Sequence, residues 1–594
     1  MDVPSLEFSG AKNWKKCLKE NNEDNILSSS QKIKLIQAAK GKISADLLIA
    51  NVNLINTISG KIHLTDVAVK DGTVIGFGKY QAEKIIDGQG AYLSPGFIES
   101  HIHIESTLLA PHVFARTVAS KGTTAVVCDP HEIANVLGST GIEYFVKSTA
   151  HLPVAIYFTL PSCVPATHLE NAGAALGVKE MKYLLEKFPY RFKGLGEMMN
   201  FPGVINGDPE VLAKLEFAEN LIIDGHAPGL TGKDLNAYIL AGPKSDHECV
   251  HYDQAKEKLE KGMHIMIRQG TSEHNMEELI PLVNDHNWPN FSLVSDDRHP
   301  EDLVRSGHLD DNLRRAVSLN MDPVRAIQLV TINPARYFGL KRRGAIAPGY
   351  QADMVLLENI DDFKIRKVFV QGKELDELSF NEEIAPPGNS MHIRNLSEKS
   401  FEITAQGKKV RAIEVVPGQI VTKTAIVSPK LVNGLAQADP DIGLVKLTVM
   451  ERHRATGNVG LGFVLGLGFK NGAIAATVAH DSHNLIIAGT NDHDMFTAAM
   501  EAQKMGGAMV AVQGGKVLTA LPLPIAGLMS NKSLEEVVDG MNELNNACRH
   551  MGFKHENPFM ILSFLALPVI PELKLTDKGL VDVNKFEIVD LWVE

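Results

Sequence analysis

The chain has 594 residues, 44% of them hydrophobic and 22% charged, with a formal net charge of −12. That length calls for two to four domains rather than one core, and the acidic balance argues against a nucleic-acid backbone as partner. Five scattered Cys (Cys17, Cys128, Cys163, Cys249, Cys548) without a Cys-x-x-Cys pair argue against a disulfide framework and fit a reducing compartment.

Met1 to Asn22 is polar and mixed in charge, with no apolar signal core. The most apolar run, Val459 to Phe469, is about half the ~20 residues needed to cross a bilayer and is dotted with Gly. The expectation is a soluble, cytoplasmic protein with no membrane partner. Residues 1–43 read as a helical lead-in, with Ser28-Ser29-Ser30 as cap before Lys32 to Ala39. From Ala45 to Ile86 short β-branched runs separated by Asn, Gly and Asp71-Gly72 predict a small antiparallel sheet.

From residue 92 to about 338, apolar strand-like segments alternate with helical patterns. Eight are read: Leu93–Ile104, Thr123–Asp129, Val154–Leu160, Phe192–Met198, Leu221–His226, Tyr238–His247, His264–Gln269 and Phe291–Asp296. Eight strands alternating with helices predict a closed parallel (β/α)8 TIM-like barrel, whose active site sits at the carboxyl ends of its strands. The runs after Gly344, Ala352–Leu357 and Lys367–Gly372, match residues 45–86 in texture, so one small sheet built from both flanks is expected. Pro386-Pro387-Gly388-Asn389 then breaks the chain. The α/β layout is therefore a lead-in over 1–43, a small flanking β-sandwich domain from 44–92 plus 339–385, the barrel over 93–338, and an additional C-terminal α+β domain over 390–594.

His101-Ile102-His103 closes the first strand. Random placement of 22 His in 594 residues yields about one His-x-His, so the dyad means little alone. Residues two apart on a strand project together, which suits two imidazoles to one cation. Further candidates fall at other strand ends: Glu197 at the fourth, His226 at the fifth, His247 at the sixth and Asp296 at the eighth. Four His and two carboxylates are the number and type that hold two divalent ions with one carboxylate bridging. The bland readings are satisfied polar strand ends for His226 and His247, and helix-capping acids for Glu197 and Asp296.

Pro95-Gly96-Phe97-Ile98-Glu99-Ser100-His101-Ile102-His103 resembles the first-strand motif of the amidohydrolase superfamily. Ile104-Glu105-Ser106-Thr107, Asp129-Pro130-His131-Glu132-Ile133, Glu197-Met198-Met199-Asn200, Asp224-Gly225-His226-Ala227-Pro228-Gly229 and Ser295-Asp296-Asp297 resemble, more closely, the bacterial adenine deaminases. The likeness runs from about residue 45 to the C-terminus and includes His480-Asp481-Ser482-His483-Asn484. It implies one ion held by His101, His103 and Asp296, a second by His226 and His247, and Glu197 as bridge, where other relatives use a carboxylated Lys. Lys193 lies nearby but four residues too early. The resemblance favours manganese or iron(II), with zinc also compatible.

The implied reaction is hydrolytic deamination of adenine to hypoxanthine and ammonia, in purine salvage, with adenine and water as partners. Asp296 is then the group that carries the hydroxide proton to the leaving nitrogen, with Glu197 and Glu105 as further catalytic groups. Glu132, Arg268 and His483 are the candidate substrate contacts, although Arg268 also reads as a partner for a ligand carboxylate. The 480–484 segment reads as a lid over the barrel mouth, an extra metal site or a hydrogen-bonded turn. Another amidohydrolase acting on a cyclic amide or a different amino-purine is the alternative, and a retired, metal-binding barrel the competing class. Oligomeric state is not legible, with a homodimer kept open.

Overall fold

The computed structural model describes residues 27–593, apart from 382–383, 418 and 556. Of the expected helical lead-in, residues 1–26 lie outside the described residues. Helix α1 (Ser29–Ala39) begins where the Ser cluster placed it. Ser28 Oγ accepts from Gln31 N, and the Gln31 side chain returns to Ser28 N, a reciprocal cap.

Strands β1 (Ala45–Asn56), β2 (Lys61–Lys70), β3 (Thr73–Phe77), β4 (Ala82–Asp87) and β5 (Tyr92–Pro95) follow. β2 and β3 form a hairpin across Asp71-Gly72, both at positive φ (47° and 68°), the two-residue turn that matches strand twist. The expected all-antiparallel pairing is corrected, because β1 lies parallel to both β4 and β5. After β3 the chain crosses over and re-enters in the direction of β1 instead of turning back on itself.

The barrel strands are β6 (Phe97–Ile102), β7 (Thr123–Cys128), β8 (Ala155–Leu160), β9 (Phe192–Met198), β10 (Ile222–Gly225), β11 (Ser245–Asp246), β12 (His264–Arg268) and β13 (Phe291–Val294). β6 to β10 pair in parallel in chain order, as do β11 to β13. Backbone bonds join the sets into a ring at both seams: Lys244 N to Ile223 O at 2.8 Å at one, and Asp296 N to His101 O at 3.0 Å with His103 N to Asp296 O at 3.3 Å at the other. All eight carboxyl ends thus face one mouth.

Two strand readings need correction. Leu93–Ile104 is not one strand: β5 belongs to the small sheet and β6 to the barrel. They part at Gly96, where a Cβ would collide with the Thr124 side chain. Tyr238–His247 begins inside the helix Gly232–Leu240, whose buried face is Leu235 and Tyr238 at i, i+3 spacing. Only Ser245–Asp246 is extended.

β14 (Met354–Leu357), β15 (Ile365–Val370) and β16 (Lys373–Glu374) complete the first sheet, in the order β16-β15-β14-β5-β1-β2-β3 with β4 beside β1. Both flanks of the barrel therefore build one eight-stranded mixed sheet. Further on, nine strands between Lys409 and Val593 form a second large sheet. Its alternate residues face opposite sides: Ala473, Ala475, Leu485 and Ile487 pack on the helix Asp492–Lys504, while Ile474, Ala476, Ile486 and Ala488 join the barrel's core cluster. That second sheet rests on the barrel mouth through Ser530 N to Leu108 O at 2.8 Å and Asn484 Nδ2 to Asn171 O at 2.8 Å.

Candidate metal centre

The structure brings the six predicted ligands together, all of them carried on or just past barrel strand ends. Asp296 Oδ1 lies 3.2 Å from His101 Nε2 and 3.1 Å from His103 Nε2. Glu197 spans the site: Oε1 is 3.2 Å from His103 Nε2, and Oε2 is 2.6 Å from His226 Nδ1 and 3.2 Å from His247 Nε2. Its two oxygens thus face the two halves of the ligand set.

Proton accounting tests whether cations fit. His103 Nδ1 faces the Asp129 carbonyl at 3.0 Å, so it carries the ring's N–H. Its Nε2 lone pair is then aimed at two carboxylate oxygens, each an acceptor. A bound cation, or a second proton on the ring, relieves that arrangement. Burial opposes a charge on His103, yet Asp296 and Glu197 outweigh it and raise its pKa well above the ordinary value. His101 Nε2 is buried without a hydrogen bond, and donor atoms of His101, His103 and Asp296 converge within 4.8 Å, as do those of His101, Glu197 and His247. The donor set of imidazole and carboxylate fits divalent transition ions.

Surrounding groups orient the ligands. Asp129 accepts from Glu197 N through Oδ2 at 3.0 Å and from His103 through its carbonyl. The Gly194-Leu195-Gly196 run before Glu197 has a steric cause: a Cβ at Gly196 would collide with the Asp129 carboxylate, and one at Gly194 would lie 2.6 Å from Ile222 O. Gly196→Ala is expected to cost about 1–3 kcal/mol of stability and to loosen Glu197. Thermal unfolding and metal retention on dialysis check it.

The second half has its own brace. Asp246 Oδ1 accepts from Ala227 N at 2.8 Å, and Lys258 Nζ donates to Asp246 Oδ2 at 2.9 Å and Ala227 O at 2.6 Å. This fully buried pair fixes the residues beside His226 and His247. Lys258→Met strands the Asp246 charge, so a loss of about 3–5 kcal/mol is expected in denaturant unfolding. Metal titration should show divalent metal bound ~10–100-fold more weakly.

Two of the residues expected at the substrate are committed elsewhere. The Arg268 guanidinium donates to Asn275 Oδ1, to both oxygens of Glu248, and to Asp296 Oδ2 at 2.9 Å. Its donors are taken by Asn275, Glu248 and the candidate ligand Asp296, the second of the two readings the sequence offered. His483 uses both ring nitrogens: Nδ1 accepts from Ala479 N at 3.2 Å and Nε2 donates to Glu132 Oε2. Its proton therefore sits on Nε2, which selects the hydrogen-bonded arrangement over an extra metal site at Glu132, His480 and His483. His480 Nδ1 meets Glu132 Oε1 at 2.6 Å. Burial would raise the Glu132 carboxyl, but His480, His483 and His131 hold it well below the usual range.

Glu105 is buried, accepts from Ile133 N at 2.9 Å through Oε1, and keeps Oε2 without a partner. Burial pushes its carboxyl up to about 7. Lys193, four residues before Glu197, sits with its ammonium 4.5 Å from the Tyr157 ring centroid. Sequence reasoning missed three side chains. His131 Nδ1 is 3.3 Å from Glu197 Oε1, and Glu248 Oε1 is 3.6 Å from both His226 and His247. Asp481 is buried with Oδ2 unpaired. The first two adjoin named candidates in Asp129-Pro130-His131-Glu132 and Asp246-His247-Glu248, a signal that was in view.

A parallel barrel with imidazoles and carboxylates at its mouth defines the class, that of the metal-dependent hydrolases: the Amidohydrolase family model matches residues 92–375. The Adenine deaminase C-terminal domain model matches residues 419–587. The chain is 52% identical over 560 residues to "Adenine deaminase" of Oleidesulfovibrio alaskensis, covering 94% of this chain and 98% of that one. Similarity to the proteins of the same name in Dehalococcoides mccartyi strain CBDB1 (48%, 93% and 98% covered) and Methanothrix thermoacetophila (47%, 94% and 99% covered) is nearly as high. The chain belongs to the adenine deaminase family.

Proposed function

We propose that this chain hydrolyses adenine to hypoxanthine and ammonia in purine salvage, at a two-cation centre held by His101, His103, Asp296, His226, His247 and Glu197. The observation that carries the reading is the convergence of four imidazoles on two carboxylates, one of them spanning both halves. Manganese or iron(II) is the proposed pair, and bound divalent ions would supply hydroxide at neutral pH by lowering the pKa of water from ~15.7 to near 7.

The chain's own groups do the rest. Asp296, its Oδ2 held by Arg268, takes the nucleophile's proton and delivers it to the exocyclic nitrogen. Glu105 gives a proton to the ring nitrogen as the C6–O bond forms; the C6–N bond then breaks, ammonia leaves and the ring nitrogen keeps that proton in hypoxanthine. The unpaired Oε2 of Glu105 is the group offered to a purine ring nitrogen. Glu132, clamped by His480 and His483, fixes the wall beside it. No helix among the described residues is long and apolar enough to cross a membrane.

Ammonia and hypoxanthine release from adenine, paired with metal analysis of the same preparation, tests the reading. Turnover with about two ions per chain is the expected result. Turnover of a lactam or dihydropyrimidine ring instead of adenine overturns the substrate, and full activity with one ion overturns the two-cation centre.

A further inference from the structure

Arg452 follows the strand Leu444–Met450 and is the largest fully buried side chain among the described residues. Its guanidinium makes five bonds, all to carbonyl or hydroxyl oxygens. Nε donates to His483 O, Nη2 to Ala526 O at 3.0 Å and Thr477 O at 3.4 Å, and Nη1 to Ser390 Oγ at 2.9 Å and Ser390 O at 3.2 Å. Burying a cation against neutral acceptors is costly compared with an apolar side chain of the same volume. Burial accordingly lowers its pKa to about 9. What the planar five-donor fork provides, and an apolar residue does not, is fixed geometry among separate segments.

Those segments include two arms that lean on the barrel. The first, 477–484, carries His480 and His483 onto Glu132, with the unpaired Asp481 oxygen between them. His453 tightens the same arm by donating from Nε2 to Ser482 O at 2.7 Å. The second, 523–530, places Ser530 N on Leu108 O, and Leu108 N in turn bonds Glu105 O at 2.9 Å. Thr477 Oγ1 staples arm to arm at Gly527 O, 2.7 Å away. Gly527 itself makes room for the fork, since a Cβ there would lie 2.8 Å from Arg452 Nη2.

We propose that Arg452 is a positioning residue for deamination. By fixing both arms at once it sets Glu132 and Glu105, so the C-terminal region shapes the purine pocket without contributing any of the six proposed metal ligands. The inference rests on the proposed reading in which Glu105 meets the purine and Glu132 fixes the wall beside it.

The test uses the full-length holoenzyme with Arg452→Lys, which keeps the charge but not the fork, alongside His483→Ala and the double variant. Thermal unfolding and metal content come first, and two ions should remain because the ligands are all on the barrel. Arg452→Lys is expected to lower kcat/KM for adenine about 100-fold, as a misplacement of ~1 Å does, mainly through KM. In the double variant the loss should be no larger than in His483→Ala, because the two act as one unit. Should Arg452→Lys not fold, Gly527→Ala displaces the fork with the side chain retained and carries the same comparison. Wild-type kinetics in a folded variant, losses that multiply in the double variant, or a loss traced to missing metal each overturn the proposal. If the wild type releases no ammonia from adenine, it is the functional reading that has failed.

Discussion

Glu197→Gln is expected to abolish adenine turnover to well beyond the ~10–100-fold that loss of an outer partner costs, and to leave fewer than two ions per chain. The amide keeps the volume of the carboxylate, so the barrel should stay folded. What changes is the donor count. Oε1 serves the half containing His103, at 3.2 Å, and Oε2 serves the half containing His226 and His247, at 2.6 and 3.2 Å. An amide supplies one acceptor and one NH2 group, so one half meets N–H bonds where a cation needs an electron pair. The anionic charge is lost as well. In the native site three imidazoles hold this carboxylate well below the usual range against the pull of burial. Metal analysis and ammonia release on one preparation check the result; a variant with two ions and native kcat would remove the bridging role.

The six candidate ligands were legible in the sequence because each belongs to a strand end, and a strand end fixes direction locally. His101 and His103 project together because they are two apart, whatever the rest of the chain does. The groups that place the ligands are a different matter. Arg268 lies 28 residues from Asp296 and His483 lies 351 from Glu132, so nothing local announces either pairing. Both were therefore offered as substrate contacts, Arg268 with a ligand-carboxylate pairing as its alternative, when Arg268 meets Glu248, Asp296 and Asn275 and His483 meets Glu132. Arg452, five bonds deep in the interior, had no local signature either.

The two misread strands fail for the same kind of reason. Apolar content continues from Leu93 through Gly96 into Phe97, but the close approach to Thr124 that separates two sheets there is a tertiary fact. Tyr238 is apolar enough for a strand, yet it turns a helical face inward beside Leu235. The mixed pairing of the first sheet likewise depends on where β4 returns, which short β-branched runs do not specify.

Asp296→Asn is expected to lower kcat for adenine by about 10²–10⁴-fold, the usual range for a lost proton-transfer group, with a smaller change in KM. The substitution isolates the chemistry because the backbone tolerates it. Asp296 sits at φ 59°, a left-handed conformation that Asn adopts as readily as Asp. The Asn carbonyl can still face His101 and His103, 3.2 and 3.1 Å from the native Oδ1. An amide, however, does not take a proton from the nucleophile and return it to the departing nitrogen. Arg268→Met makes the control, since it frees Oδ2 but leaves the carboxylate in place; a loss of ~10–100-fold is expected there. If Asp296→Asn binds two ions and turns over adenine at the native kcat, the proton passes through another group. Glu105, with its free oxygen beside the first strand end, is then the next to be replaced.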